Sequence, residues 1–401
     1  MRLDERRRAL ETLLLDSEPY WRPSTFREQR PDWCRQWPAL TAELLALDDA
    51  TTASLSEDAA RMTERLLPWL PMLQPLAALT ALPAEAAGAP EADAAPIEVN
   101  NAEARASRDI PGRKLGQIDA FVAAVGRPQA PLVDWCAGKG HLSRRFLQRW
   151  GGEAVAVERN PALCDAGADL ARRVRHPQRF LSADVMHGPM TDVLRGTHAV
   201  ALHACGDLHR HLVRTAAAVR TPAIDIAPCC YPLTADEPYR PLLADSRLQL
   251  DRNALRLAVT ETVTASRRDT AISRRDSAWK LAFLALREQV QPGHGYQSFL
   301  PVPAEWRRGG FADFLHRLAA REGVPLPAGF DFAACEATGW QRHHESRRLQ
   351  LVRSVFRRAI EVWLLCDLAV WLERQGYAVS LREFCPRALT PRNLLLSARL
   401  L

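Results

Sequence analysis

Gly138, Lys139 and Gly140 lie in VDWCAGKGHLSRRF, residues 133–146, between an apolar run and a helical one. A glycine turn at the carboxyl end of a strand lets the backbone approach a ligand, and open α/β sheets bind ligands at that edge. A phosphate loop would need G-x-x-x-x-G-K-S/T; here Gly140 follows Lys139 and no glycine stands at the required upstream spacing, so that reading fails. A dinucleotide fingerprint, G-x-G-x-x-G/A, is met at Gly138 and Gly140, but Ser143 occupies the third position. An S-adenosylmethionine (SAM) loop runs acid-x-Gly-x-Gly-x-Gly. Asp134, Cys136, Ala137, Gly138, Lys139 and Gly140 follow it, with Cys136 in place of the first glycine.

Two downstream acids extend this reading. Glu158 ends the apolar run AVAVERN, where a carboxylate can accept both ribose hydroxyls; NAD enzymes use the same device. Asp184, in FLSADVM, can accept from an adenine amine. Together with the turn they favour ligand contact over solvated strand-end carboxylates.

LHACGDLH brings His203, Cys205 and Asp207, and IAPCCYP brings Cys229, Cys230 and Tyr231, to the ends of the next two strands. His203 is a candidate cofactor contact and a candidate general base with Asp207 as its support, set against a satisfied core histidine. Any of Cys205, Cys229 and Cys230 could attack a pyrimidine ring at C6, although each has an ordinary packing alternative. Zinc bound by His203, Cys205, Cys229 and Cys230 is conceivable by ligand type, but the spacing matches no standard closed site and buried cysteine is a common small hydrophobe. No metal is expected.

The elements that must carry these residues are short apolar strands separated by helical stretches: Leu132–Cys136, Ala154–Glu158, Arg179–Ala183, Ala199–His203 and Ala223–Ala227, preceded by a helix Leu115–Val125. That alternation predicts a parallel sheet with right-handed crossovers. A long amphipathic helix, about Ser346 to Gln375, and two closing strands, Ala378–Phe384 and Asn393–Ala398, complete it. The expected fold is α/β: a Rossmann-like, seven-stranded class I methyltransferase sheet with a terminal antiparallel hairpin. Its loop CPRALTPRN would lie at the ligand edge, with Tyr231, Arg387, Arg392 and Asn393 facing substrate, where an arginine could clamp a phosphate. Pro391 and Asn393 would equally suit a structural turn.

The expected organisation is a helical region 1–81, an Ala/Pro-rich linker 82–109, a core 110–234, a less regular arginine-rich insertion 235–345 and a core completion 346–401. Net charge is +6 with a pI near 9.0, which permits an anionic partner without requiring one. Only Lys114, Lys139 and Lys280 among the 53 basic residues are lysine, so arginine supplies the patches SRRDTAISRRD and Arg342 to Arg358. Their bland reading is a solvated helix face. Nine cysteines without a C-x-x-C pair suggest reduced thiols and a cytoplasmic protein. The N-terminus does not read as a secretory signal, and the apolar run 359–371 carries Glu361 and Asp367, as in a buried helix rather than a membrane span.

VDWCAGKGHLSRRF, LHACGDL, APCCY and LTPRNLLLSA, in that order, resemble the methyltransferase-like family grouped with the ribosomal-RNA-adenine-dimethylase-domain-containing protein. The glutathione S-transferase C-terminal-domain-containing protein carries a similar module, and the acceptor-stem tRNA 2′-O-methyltransferase looks related. IEVWLLCDLAVWLERQGY looks like the family's penultimate helix. The resemblance covers about 110–235 and 345–401; it implies a SAM-dependent methyltransferase fold and makes RNA, tRNA or rRNA, the leading substrate. A protein or small-molecule methyltransferase, and a SAM-binding protein without turnover, are the alternatives.

Overall fold

The computed structural model describes residues 1–84, 110–260, 267–293 and 296–401. Most of the linker read at 82–109 falls outside them. Two compact units are formed: residues 1–15, 75–264 and 357–401 make the first, and residues 16–74 and 265–356 the second.

The first unit is built on a seven-stranded sheet: β1 Leu132–Trp135, β2 Ala154–Glu158, β3 Gln178–Ser182, β4 His198–Cys205, β5 Ala223–Cys229, β6 Tyr377–Glu383 and β7 Leu394–Leu400. The order is β3-β2-β1-β4-β5-β7-β6, with β7 antiparallel to both neighbours and the other pairings parallel. This is the predicted α/β class, and the strands fall within two residues of their expected ends. Helices Gly112–Val125 and His141–Trp150 cover one face, where Phe121 meets Phe146 and Phe384 edge to face at 6.4 and 5.7 Å.

Helix Arg357–Arg374 is buried along nearly its whole length in spite of its charges. Arg358 Nη1 donates to Glu361 Oε2 at 2.7 Å, and the Asp367 carboxylate accepts from Leu242 N and Leu243 N at 2.8 and 3.0 Å. Each buried charge therefore has partners, which is the condition for burying it at all. No described helix is long and apolar enough to cross a membrane.

Two expectations need correction. The predicted helix 346–375 is two helices, Phe332–Ser354 and Arg357–Arg374. No glycine or proline lies between 346 and 375; Val355 and Phe356 are both buried, and packing sets the break. The segment 235–345 is also more regular than expected, because it carries helices Arg252–Val259, Arg267–Val290 and Phe311–Arg321 and the first half of Phe332–Ser354.

The second unit is helical. Trp279, Phe283 and Leu286 pack with Phe311, Phe314, Leu315 and Leu318 in one core. Gly339 lies against Ala278 O and Ala282, so helices Arg267–Val290 and Phe332–Ser354 approach where a Cβ would not fit. The short helices Glu18–Trp21, Pro38–Leu45, Asp49–Glu57 and Ala59–Leu66 pack on Phe332–Ser354.

Candidate functional site

The turn after β1 carries three left-handed residues, Cys136 (φ 59°), Gly138 (φ 57°) and Gly140 (φ 64°). Gly140 caps the helix His141–Trp150, and Asp134 reaches beneath the turn: its Oδ2 accepts from Ser143 N at 3.0 Å and Ser143 Oγ at 2.6 Å. A carboxylate offered to the first turn of a helix satisfies an orphan N–H and complements the dipole. Ser143, which broke the dinucleotide pattern, is therefore the partner that ties strand to helix. Gln178 of β3 completes the brace, donating from Nε2 to Gly140 O at 2.7 Å and to Ser143 Oγ at 2.8 Å.

Asp134 was expected to touch cofactor. It is 2% exposed and its carboxyl is pushed up to about 6 by burial, against the lowering hydrogen bonds from Ser143. It shapes the turn from below. Lys139 likewise turns its side chain to solvent while Arg144 Nη2 donates to its carbonyl at 2.7 Å. Gly140→Ala would set a Cβ against Gln178 Nε2 and 2.7 Å from Phe180 Cζ, at a φ that disfavours a side chain. We expect it to lower SAM affinity at least tenfold, read by calorimetry; unchanged affinity would mean the turn tolerates displacement.

Glu158 links turn and strand. Its Oε2 accepts from Gly138 N at 3.0 Å and its Oε1 from Asn160 N at 2.9 Å, leaving each oxygen further lone pairs. A Cβ built at Gly138 meets nothing within 4 Å, so the space above the turn is open. Asp184 accepts from Met186 N at 3.0 Å and pairs with His187 at 3.3 Å. The Cys136 thiol senses all of them: burial, then the charges of Glu158 and Asp134, then Cys205 and Asp184, push it up to about 12. Cys136 is a neutral small residue facing an acid-lined space, and the open turn with two acids having acceptor capacity fits an adenosyl ligand.

At the ends of β4 and β5 the backbone is again left-handed, at His203 (φ 65°), Gly206 (φ 56°) and Cys230 (φ 49°). A register shift between Leu202 and Cys205 places Cys205 opposite Cys229. Their sulfurs are 3.4 Å apart, and those of Cys205, Cys229 and Cys230 all lie within 4.8 Å of one another. Hydrogen bonds from Cys205 and Cys229, with Arg392 and His203 nearby, hold the Cys230 thiol well below its usual range; sharing with Cys205 and Cys230 pushes Cys229 up.

The pairing of His203 with Asp207 is not formed. His203 Nε2 meets Gln117 Oε1 at 3.0 Å, whereas Asp207 accepts from Arg210 Nη1 at 2.9 Å and Ala235 N at 2.8 Å. Asp207 opens the next helix and is spent on Arg210 and on the loop after β5. Gln117 is the residue the sequence reading missed; its Nε2 also donates to Leu389 O at 3.2 Å, tying His203 to the terminal loop. Nothing local marks it, because His203 is 86 residues away.

Of the four expected substrate contacts, two are structural. Tyr231 is 2% exposed and packs edge to face on His209, with ring centres 5.7 Å apart. Asn393 is fully buried, donating to Cys385 O at 2.8 Å and accepting from Arg358 Nη2 at 3.1 Å. Arg387 and Arg392 stay half-exposed; the Arg392 guanidinium also donates to Val259 O. In the arginine patch, Arg353 and Arg358 are buried, on Trp21 O and on Glu361 with Glu383 respectively. Arg274, Trp340, His343, His344 and Arg347 of the second unit instead line a cavity of about 500 Å³ with Asp49.

Residues 113–237 match the family model of a methyltransferase domain. This segment is thus a methyltransferase domain with SAM as its cofactor. None of the curated proteins compared matches the chain. Among solved structures it is similar to the 23S rRNA methyltransferase ErmE (18% identity, 28% of this chain and 45% of that one, TM-score 0.23) and the 16S rRNA methylase RmtB (15%, 56% and 83%, TM-score 0.24). It is also similar to the cyclopropane synthase MmaA2 from Mycobacterium tuberculosis (13%, 71% and 82%, TM-score 0.25). Likeness at that level carries no argument about substrate. The first solved structures it resembles are spanned over 42%, 43% and 54% of their own length.

Proposed function

We propose that the chain is a SAM-dependent methyltransferase acting on RNA, tRNA or rRNA. The observation that carries the cofactor half is the open glycine turn joined to Glu158, inside a segment matching a methyltransferase domain. Support for RNA comes from the ordered motifs, which resemble those of RNA methyltransferases, and from the arginine- and tryptophan-lined cavity of the second unit. Arg274 and Arg347 would meet phosphates there, while Trp340 offers a ring for a base.

Gly138, Gly140, Cys136, Ala137, Glu158 and Asp184 would hold the cofactor, which supplies an electrophilic methyl group. The chain's own task is to align a nucleophile behind it and to take a proton. With Gln117 Oε1 accepting, His203 carries its proton on Nε2 and presents a lone pair at Nδ1. Burial holds the imidazole below its usual range; Cys230 opposes this, and Arg392 and Lys114 add to it. A base so tuned is neutral at pH 7, so kcat/KM should rise through an apparent pKa below about 6.5 and stay flat above it. A rising limb only above pH 7 would exclude His203. Cys230 is the thiol that addition to pyrimidine C6, for methylation at C5, would use in a metal-free site, and the modified nucleoside separates that course from methylation of a hydroxyl or amine.

The test is methyl-labelled SAM with total RNA and, separately, total protein. Label in RNA supports the reading, and digestion to nucleosides names the atom. Label in protein overturns it, and cofactor binding without transfer to either points to a small-molecule substrate or a protein without turnover. Arg347→Ala should weaken RNA binding about tenfold and flatten its salt dependence by about one unit of log–log slope. An unaltered slope would remove the cavity from the RNA path.

A further inference from the structure

We propose that Cys205, Cys229 and Cys230 form a three-thiolate site for a soft divalent cation of the zinc(II) class, with a fourth position open to water or a donor atom of a substrate. Zinc binds thiolate at about 2.3 Å in tetrahedral geometry, which sets its sulfurs roughly 3.8 Å apart. Here one pair is at 3.4 Å and all three lie within 4.8 Å, so shifts of about an ångström close the shell around a metal.

The backbone builds this convergence. Successive residues of an extended strand point to opposite faces. Cys229 and Cys230 would diverge if β5 ran on, but the left-handed turn at Cys230 ends the strand and returns its sulfur to the group. On β4 the register shift sets Cys205 opposite Cys229.

Two hydrogen bonds lock the loops together, Gly206 N to Cys229 O at 3.1 Å and Asp207 N to Leu233 O at 3.1 Å, and Leu233 N to Cys230 O at 2.9 Å closes the turn after β5. A Cβ at Gly206 would overlap Leu233 O, so only glycine lets the loops close this far. Left-handed non-glycine residues cost free energy and persist where surrounding structure over-determines them, characteristically at functional sites. Cys205 and Cys230 are half-exposed, unlike sulfurs used as core filler. His203, whose Nε2 meets Gln117, stands outside the trio, so the donor set differs from the His–Cys set considered from sequence. Each thiol that enters as thiolate releases its proton to solvent, so affinity must rise with pH.

The test uses the full chain, reduced and stripped with a chelator, then titrated with cobalt(II) and next with zinc(II). One equivalent of cobalt should bring thiolate-to-cobalt charge transfer and the intense visible bands of a tetrahedral ion, and zinc should bleach both. Cys229→Ser and Cys230→Ser should each lower zinc affinity at least 100-fold, while Cys335→Ser and Cys385→Ser leave it unchanged. Circular dichroism and binding of S-adenosylhomocysteine establish that each variant is folded. Absence of the charge-transfer band in the folded parent chain overturns the proposal, as does an equal band in a folded Cys229→Ser protein. The readout needs no RNA, so it stands or falls apart from the substrate reading.

Discussion

Replacing Glu158 by alanine should lower affinity for S-adenosylhomocysteine at least 100-fold. Hydrogen bonds to a charged acceptor are worth about 1.5–3 kcal/mol each, and two ribose hydroxyls would be lost together. At about 1.4 kcal/mol per tenfold, their sum exceeds two decades. The loss has a second component, since Gly138 N and Asn160 N donate to the same carboxylate and the turn loosens when it goes. Glu158→Gln keeps the reach but halves the acceptors and should fall between. The residue is half-exposed, so the melting temperature should hardly move while affinity collapses. Titration calorimetry separates the two, and an affinity within threefold of the parent would remove Glu158 from the cofactor site.

Asp225→Asn should be the most destabilising of the single changes. Asp225 is fully buried on β5, receives Arg399 Nη2 at 2.8 Å, meets His198 Nε2 at 2.6 Å and is hydrogen-bonded by Ser397 Oγ. Breaking such a network leaves Arg399 without its counter-charge and buried donors without their acceptor, at a cost of about 3–5 kcal/mol. For a unit of this size that is roughly 10 °C in Tm. The pH dependence has a definite sign. Burial alone would raise the Asp225 carboxyl, but the hydrogen bond and charge of His198, then Arg399 and Ser397, outweigh it and hold the folded value below the usual one. A depressed carboxylate contributes stability that is fully present above its unfolded value and lost as pH falls through the folded value. The Tm gap between parent and variant should be constant from pH 7 to about 5 and shrink below about pH 4. A gap that widened on acidification would mean Asp225 is protonated in the folded chain.

The same network shows where local reading stops. His198 and Asp225 both appear as residues of apolar strands, and nothing near either announces the other, 27 residues away. Tyr231 and Asn393 failed as substrate contacts for a related reason. Residue type suggested polar tips for a ligand, but the turn after β5 buries the first and the Cys385 carbonyl and Arg358 claim the second. Arg353 and Arg358 looked like members of a basic face until burial removed them from solvent.

What the sequence determined by itself is local. Apolar runs of four to six residues between helical stretches were enough for five parallel strands and the closing hairpin, because strand periodicity and crossover handedness leave few alternatives. The glycine turn and the acid ending β2 were legible because φ above zero and a strand-end carboxylate each restrict residue type. Only the tertiary structure decided what depends on contacts between distant segments. It turned Asp134 under the loop to hold Ser143, gave His203 to Gln117 rather than Asp207, and split 346–375 where Val355 and Phe356 are buried. It also gathered three sulfurs through a register shift and a left-handed turn that no spacing rule encodes. Side-chain direction at the end of a strand depends on one backbone dihedral, and that dihedral is set by the neighbouring loop rather than by the residue that adopts it.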